Sequence, residues 1–307
     1  MKATQATVFG WPGVELDNGV VALAAVPTIG GRLVSYRLGP YEYLWMNQAL
    51  LGQLFSAEEH VGDGGMDAWK NYGGDKTWPA PQGWDNDRQW HGPPDPVLDG
   101  GRYALDALES DGRRATVRMT SPPDPVTGLQ ITRQATLHAG SSRVTLDLTF
   151  TNTTDRPMRW SIWDVVQHRA EKVLPDGTIT HQDACVVTVP INPYSRHPKG
   201  YGVLFADPAN PQWQVEGGLF VGRYLYQIGK VGLDSWAGWI ALSDEARGYA
   251  FAAQFEAQPG AEYPDNGSTV ECWTVGRGQI PGISLNSEGS GIFHRETEVL
   301  SPMFDFA

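Results

Sequence analysis

A large antiparallel β sandwich is the fold class that the sequence predicts, on three observations. Short segments alternate apolar and polar residues with a period of two, turn residues punctuate them, and no long segment carries a 3.6-residue apolar stripe. The chain has 307 residues, and its 36 Gly and 22 Pro are spread along it rather than gathered into a linker or a collagen-like period. That length suits one large all-β unit, so the expectation is a single domain over 1–307. No fixed-period repeat points to a propeller or solenoid.

Taken in order, the strand candidates are "GVVALAAV" (19–26), "GRLVSYRLG" (31–39), "RRATVRMT" (113–120), "LQITRQATLH" (129–138) and "SRVTLDLTFTN" (142–152). After them come "RWSIWDVVQ" (159–167), "CVVTVPI" (185–191), "LFVGRYLYQIG" (219–229), "AGWIALSD" (237–244), "GYAFAAQFEA" (248–257), "STVECWTVG" (268–276) and "IFHRETEVL" (292–300). Nearly all are bounded by Gly, Pro, Asn or Asp. In 129–152, Leu129, Ile131, Ala135 and Leu137, then Val144, Leu146, Leu148 and Phe150, alternate with polar residues, which predicts two strands with one wet face joined by a hairpin at "AGSS".

Charge narrows the partners. The net charge is -12 and the lysines are Lys2, Lys70, Lys76, Lys172, Lys199 and Lys230, which argues against a nucleic-acid backbone as ligand. An acidic chain is repelled by an anionic membrane, and no run approaches the roughly 18 apolar residues of a spanning helix. The first residues lack the apolar core of a secretion signal, so a cytoplasmic location is expected. Cys185 and Cys272 stand alone without CxxC or Cys/His spacing, which predicts buried free thiols and neither a zinc site nor a disulfide framework.

Residues 56–100 break the strand rhythm for longer than an ordinary connection does, and long ordered loops are usually functional. Trp69, Tyr72, Trp78, Trp84 and Trp90 argue for order, so this segment is expected as a loop excursion lying over the concave face of the sandwich. Within it, "GGDKTWPAPQ" (73–82) sets Lys76 beside Asp75 and two residues before Trp78. An aromatic plate and a fixed cation suit a sugar ring and its hydroxyls or carboxylate, and they equally suit a loop packed on a sheet.

Two strands carry the acid–base candidates. In "IFHRETEVL" the period of two places His294, Glu296 and Glu298 on one face, an acidic row that needs a cation such as Lys76 or Lys230. Carboxylates so crowded can have one pKa raised, as a general base requires. In "WSIWDVVQH", Asp164 and His168 share one largely apolar face with Val166, while Gln167 shares the other with Trp163 and Val165. Glu271 alternates with Trp273 in "TVECWTVG", a carboxylate beside an aromatic plate. His181 and His197 are alternative histidines. Asp63, Asp67, Asp85 and Asp87 lack the spacing of a calcium loop, so no metal is expected. Neither a phosphate loop nor a Gly-x-Ser-x-Gly elbow is present.

These residues also carry a resemblance. "TNTTDRPMRWSIWDVVQH" (151–168) is similar to the strand of aldose 1-epimerases, the galactose mutarotases, that delivers a catalytic His, and "GIFHRETEVLSP" (291–302) is similar to the late strand that holds their catalytic Glu. "VPTIGGRLVSYRLG" resembles their first hairpin, and the "GGDK-WPAPQ" and "YPD" segments resemble an uncharacterised branch of galactose mutarotase-like domains, known as a domain of unknown function. The resemblance implies a galactose mutarotase-like supersandwich. It makes Glu296 the base and His168 the acid for cofactor-free proton transfer at a sugar's anomeric centre. Lys76, Trp78, Asp75, Gln167, Asp164, Glu271 and Glu298 would line the substrate. A polysaccharide lyase or glycosidase on the same fold, or a non-catalytic carbohydrate-binding module, are the alternatives. The partner in each case is a small-molecule or oligosaccharide substrate.

Overall fold

The computed structural model describes residues 1–65, 68–83, 89–90, 92, 95–278 and 287–306. The protein is nearly all β, in antiparallel sheets that form a sandwich, and among the described residues two α-helical segments span five and four residues. Two compact units divide the chain, Met1–Ile162 with Asp305–Ala307, and Trp163–Phe304.

The first unit holds β1 (Lys2–Val8), β2 (Trp11–Asp17), β3 (Val21–Val26), β4 (Arg32–Leu38), β5 (Tyr41–Glu42), β6 (Asp75–Ala80), β7 (Ala104–Ser110), β8 (Arg114–Thr120), β9 (Leu129–His138) and β10 (Val144–Asn152). One sheet runs β1-β2-β3-β4-β6 with β5 on β4, the other β10-β9-β8-β7, and β1 and β2 pack on β7 and β8. The hairpin read from 129–152 is present, with Leu137 opposite Val144 and Ile131 opposite Phe150. Leu129, Ile131, Ala135 and Leu137 are buried.

The 56–100 segment differs from a plain loop. Its start forms a short helix, α1 (Ala57–Val61), with Ser56 and Glu59 in a reciprocal capping box. Its centre is the strand β6, where all six residues are buried. A strand enclosed on both faces shows no alternation for a sequence reading to detect.

The second unit begins within β11 (Met158–Arg169), whose residues 163–169 belong to it. It continues through β12 (Glu171–Val173), β13 (Ile179–His181), β14 (Cys185–Pro190), β15 (Gly202–Phe205), β16 (Trp213–Glu216), β17 (Leu219–Arg223), β18 (Gly229–Leu233), β19 (Trp239–Asp244), β20 (Tyr249–Gln254), the turn-like helix α2 (Pro264–Gly267), β21 (Val270–Thr274) and β22 (His294–Leu300). A last strand, β23 (Phe304–Phe306), pairs with β11. The principal sheet runs β11-β22-β21-β18-β15 and the second β16-β17-β14-β19-β20. Val187, Phe220, Val231, Leu233, Ile240, Leu242, Val270 and Cys272 make the core between them. That core occupies one face of the principal sheet, so residues alternate between it and the opposite, polar face.

Candidate functional site

The polar face of the second unit collects the chemistry. Cross-strand register pairs Gln167 with Glu296 and Val165 with Glu298 between β11 and β22. Between β22 and β21, Glu296 lies opposite Trp273 and Glu298 opposite Glu271, and between β21 and β18 Trp273 lies opposite Lys230. Directly opposed residues share a face, so three strands beside β11 carry Glu296, Glu298, Glu271, Trp273 and Lys230 together.

Glu296 is the most open of the three glutamates, at 8% exposure against 0% for Glu271 and Glu298. Gln167 donates to Glu296 Oε1 from Nε2 at 2.5 Å. His294 Nδ1 lies 3.9 Å from that same oxygen, and its Nε2 is 3.5 Å from Gln167 Nε2, at the limit of a hydrogen bond. A carboxylate, an imidazole and an amide that fixes both therefore stand on adjacent positions of one sheet face. This is the equipment of paired proton transfer.

Beside them sits a buried ionic cluster. Lys230 Nζ is 2.6 Å from Glu271 Oε2 and 2.9 Å from Glu298 Oε2, and it lies 4.3 Å over the Trp163 ring. Trp163 donates its indole N–H to Glu298 Oε2 at 2.7 Å. Asp265, on the α2 turn, lies near enough for its charge to act on Glu271 and Lys230. Its backbone is left-handed (φ 49), as is that of Asn266 (φ 59), a conformation that costs a non-glycine residue of order 1 kcal/mol or more. Burial pushes Glu271 well above the ordinary carboxyl range and pushes Asp265 up, against the pull of Lys230. Burial by itself would lower Lys230, yet Glu271 and Glu298 hold it above the usual lysine range. Lys230 is thus held as an ammonium, with the Asp265 carboxyl raising Glu271 beside it. Glu271 Oε1, Glu298 Oε1 and Gln167 Oε1 are buried with no hydrogen-bond partner among the described residues.

The structure separates two residues that the sequence reading paired. His168 lies opposite Arg295 in the β11–β22 register, one step from Gln167 and Glu296, so it projects from the other face of the sheet into the core. There it is fully buried, its Nε2 is 2.7 Å from Thr297 Oγ1, and its ring packs 4.7 Å from Phe251. Burial and the Arg295 guanidinium hold its pKa down at about 3, so the ring is neutral. Glu296 and His168 do not meet. Asp164, half-buried, shares the His168 side of the strand by alternation. Cys185 and Cys272 are free and buried on this core side, and burial pushes the Cys185 thiol up to about 12.

Asp75, Lys76 and Trp78 belong to the first unit, on β6. Neighbouring positions on a strand face opposite ways, and Asp75 pairs with Arg133. Lys76 Nζ lies 4.8 Å over the Trp78 ring, and Trp78 donates its indole N–H to Asp99 Oδ1 at 3.1 Å. Asp99 also accepts from Trp69 Nε1 at 2.7 Å, lies 2.8 Å from His60 Nε2, and pairs with Arg32. Burial would raise Asp99, but Arg32 and His60 hold it well below the usual carboxyl range. The Trp78 N–H thus ties its segment to the scaffold. Sequence reasoning missed Asp99, Arg32 and His60, which no spacing links. It placed His294 on the right face through the period of two without giving it a role. It quoted "YPD" without assigning Asp265 to the site.

Among the described residues, no group of three His, Cys, Asp or Glu is arranged to hold a metal, and no helix is long and apolar enough to cross a membrane. Trp84, Asp67, Asp85 and Asp87 lie outside the described residues.

Residues 12–285 match the model of a family described as a domain of unknown function, DUF4380. No curated protein matches by sequence. The fold is similar to that of YeaD of Salmonella typhimurium, described as a candidate mutarotase (TM-score 0.59, 11% identity), across 99% of this chain and 88% of that one. It is also similar to a galactose mutarotase-like protein from Clostridium acetobutylicum (TM-score 0.53, 10% identity), across 99% and 98%. At these identities the likeness shows a galactose mutarotase-like fold and nothing finer.

Proposed function

The chain belongs to the DUF4380 family, and from that premise we propose that it binds a small aldose and transfers protons at its anomeric centre. The observation that carries this reading is the Glu296, Gln167 and His294 arrangement: the one partly open glutamate of the face, held at 2.5 Å by an amide, with an imidazole 3.9 Å away. Glu296 takes the proton of the anomeric hydroxyl while His294, from Nδ1, gives one to the ring oxygen. The bond from C1 to the ring oxygen breaks and a carbonyl forms at C1. Rotation about the C1–C2 bond and the reverse transfers close the other anomer. Trp273, directly opposite Glu296, offers a ring face for the sugar to stack on. His168 supports the sheet from its core side.

Polarimetry on freshly dissolved α-glucose and α-galactose tests the reading. Glu296→Gln is expected to slow the catalysed rate by roughly a hundred- to ten-thousandfold, with His294→Gln comparable. His168→Gln is expected to keep it within a few-fold. A wild-type protein that binds these sugars without accelerating mutarotation would make the face a binding module. A product absorbing in the ultraviolet would assign it to elimination, as in a lyase.

A further inference from the structure

The first unit contains a cleft of about 240 Å³ whose wall includes Thr28, Phe55, Ser56, His60, Gly100 and Arg102. It is smaller than the pockets of roughly 300 Å³ or more that hold drug-sized ligands, and it suits a molecule of a few carbons. His60 is its rigid element. The α1 turn carries the ring, Tyr72 stacks on it at 5.8 Å with 18° between planes, and Asp99 Oδ2 lies 2.8 Å from Nε2. Gly100 lets the ring reach the wall, since a Cβ there would come within 2.5 Å of it.

Polar valences at this cleft are left over. An ionised carboxylate can only accept, so His60 Nε2 carries the hydrogen that Asp99 receives, and Nδ1 is the ring nitrogen left for a further partner. His60 is 2% exposed, yet Nδ1 has no hydrogen-bond partner among the described residues, and neither does the buried Thr28 Oγ1. Native proteins rarely leave such atoms unmet unless water or a ligand meets them. Arg102 is exposed and forms no ion pair among the described residues. The unmatched set is therefore one ring nitrogen, one hydroxyl and one cation.

We propose that this cleft binds a small hydroxylated anion, a hydroxy acid or a polyol phosphate, whose anionic group pairs with Arg102 while its hydroxyl hydrogen-bonds with His60 Nδ1 and Thr28 Oγ1. The Asp99 carboxylate positions His60 for this and takes no part in binding itself. The site lies wholly within the first unit and does not depend on the aldose reading.

Isothermal titration and thermal shift with glycerate and with glycerol 3-phosphate test it, against acetate and glycerol as probes that carry only one of the two features. Saturable binding of glycerate or glycerol 3-phosphate is expected, and which of them binds tighter separates a carboxylate site from a phosphate site. Arg102→Gln and Thr28→Val, both mild changes at the wall, should each weaken that binding by roughly tenfold. The His60 imidazole nitrogen resonances should shift on titration of the same probe. The proposal is overturned if neither hydroxylated anion binds, if acetate or glycerol binds as tightly, or if Arg102→Gln leaves the affinity unchanged.

Discussion

Each unit buries a charged cluster among polar partners, and the balances of the Asp99 and Lys230 clusters are opposite. In the first, the Asp99 carboxylate receives Arg32, His60, Trp69 and Trp78, so a single anion is saturated by donors. In the second, the Lys230 ammonium faces Glu271, Glu298 and, through Glu271, Asp265, so one cation serves more acids than it can neutralise. The donors gathered on Asp99 fasten β6 and the chain around it. The second cluster leaves carboxylate oxygens without a hydrogen-bond partner beside Glu296, on the face where proton transfer is proposed. A buried polar group with every valence met reads as scaffold, and one with valences left over points to chemistry or a ligand.

The sharpest way to break this contrast is Asp99→Asn, which strands the fully buried Arg32 without a counter-charge. It is expected to cost about 3–5 kcal/mol in denaturant unfolding, and a loss below about 1 kcal/mol would remove the scaffold reading. Lys230→Met should cost about 3 kcal/mol, because Glu271 and Asp265 can take up protons in its place. That loss should deepen as pH rises and the carboxyls, whose pKa values burial raises, ionise. Adding Glu271→Gln should recover about 1–3 kcal/mol of it, measured as a double-mutant cycle; strict additivity would mean that the two do not interact.

His168 supplies a pH signature. Its folded pKa of about 3 lies below the ordinary 6.5, so the unfolded chain binds the extra proton between those values. Its contribution is complete above about pH 6.5 and is lost as pH falls toward 3, amounting to about 2 kcal/mol by pH 5. His168→Gln should flatten that acid limb, and an unchanged slope would place the protonation elsewhere. The smallest effects set matched tryptophans against each other. Trp69→Phe removes one donor from Asp99 and should cost about 1 kcal/mol of stability, whereas Trp273→Phe should leave stability within about 0.5 kcal/mol and weaken sugar binding. Reversed results would interchange the roles of the two aromatic sites.

Much of the fold was legible because period-two alternation is a local property of extended backbone. The 129–152 hairpin and the common face of His294, Glu296 and Glu298 follow from neighbours two residues apart, as does the need of that row for a cation. The same rule put Gln167 and His168 on opposite faces before any contact was known. Pairing His168 with Glu296 came from the resemblance, and cross-strand register decided against their meeting. β6 escaped detection because a strand buried on both faces has no polar phase to mark it.

By itself the sequence determined the all-β class, the turn-bounded strands and the alternation of faces within each, since covalent geometry sets these over a few residues. Only the tertiary structure decided which face became core, that Lys230 rather than another lysine answers Glu271 and Glu298, and that Asp99 gathers side chains from as far away as Arg32. Those choices depend on strand order and register between segments distant in the chain. No residue's immediate neighbours encode them, and burial gives them their energetic weight only after the sheets have packed.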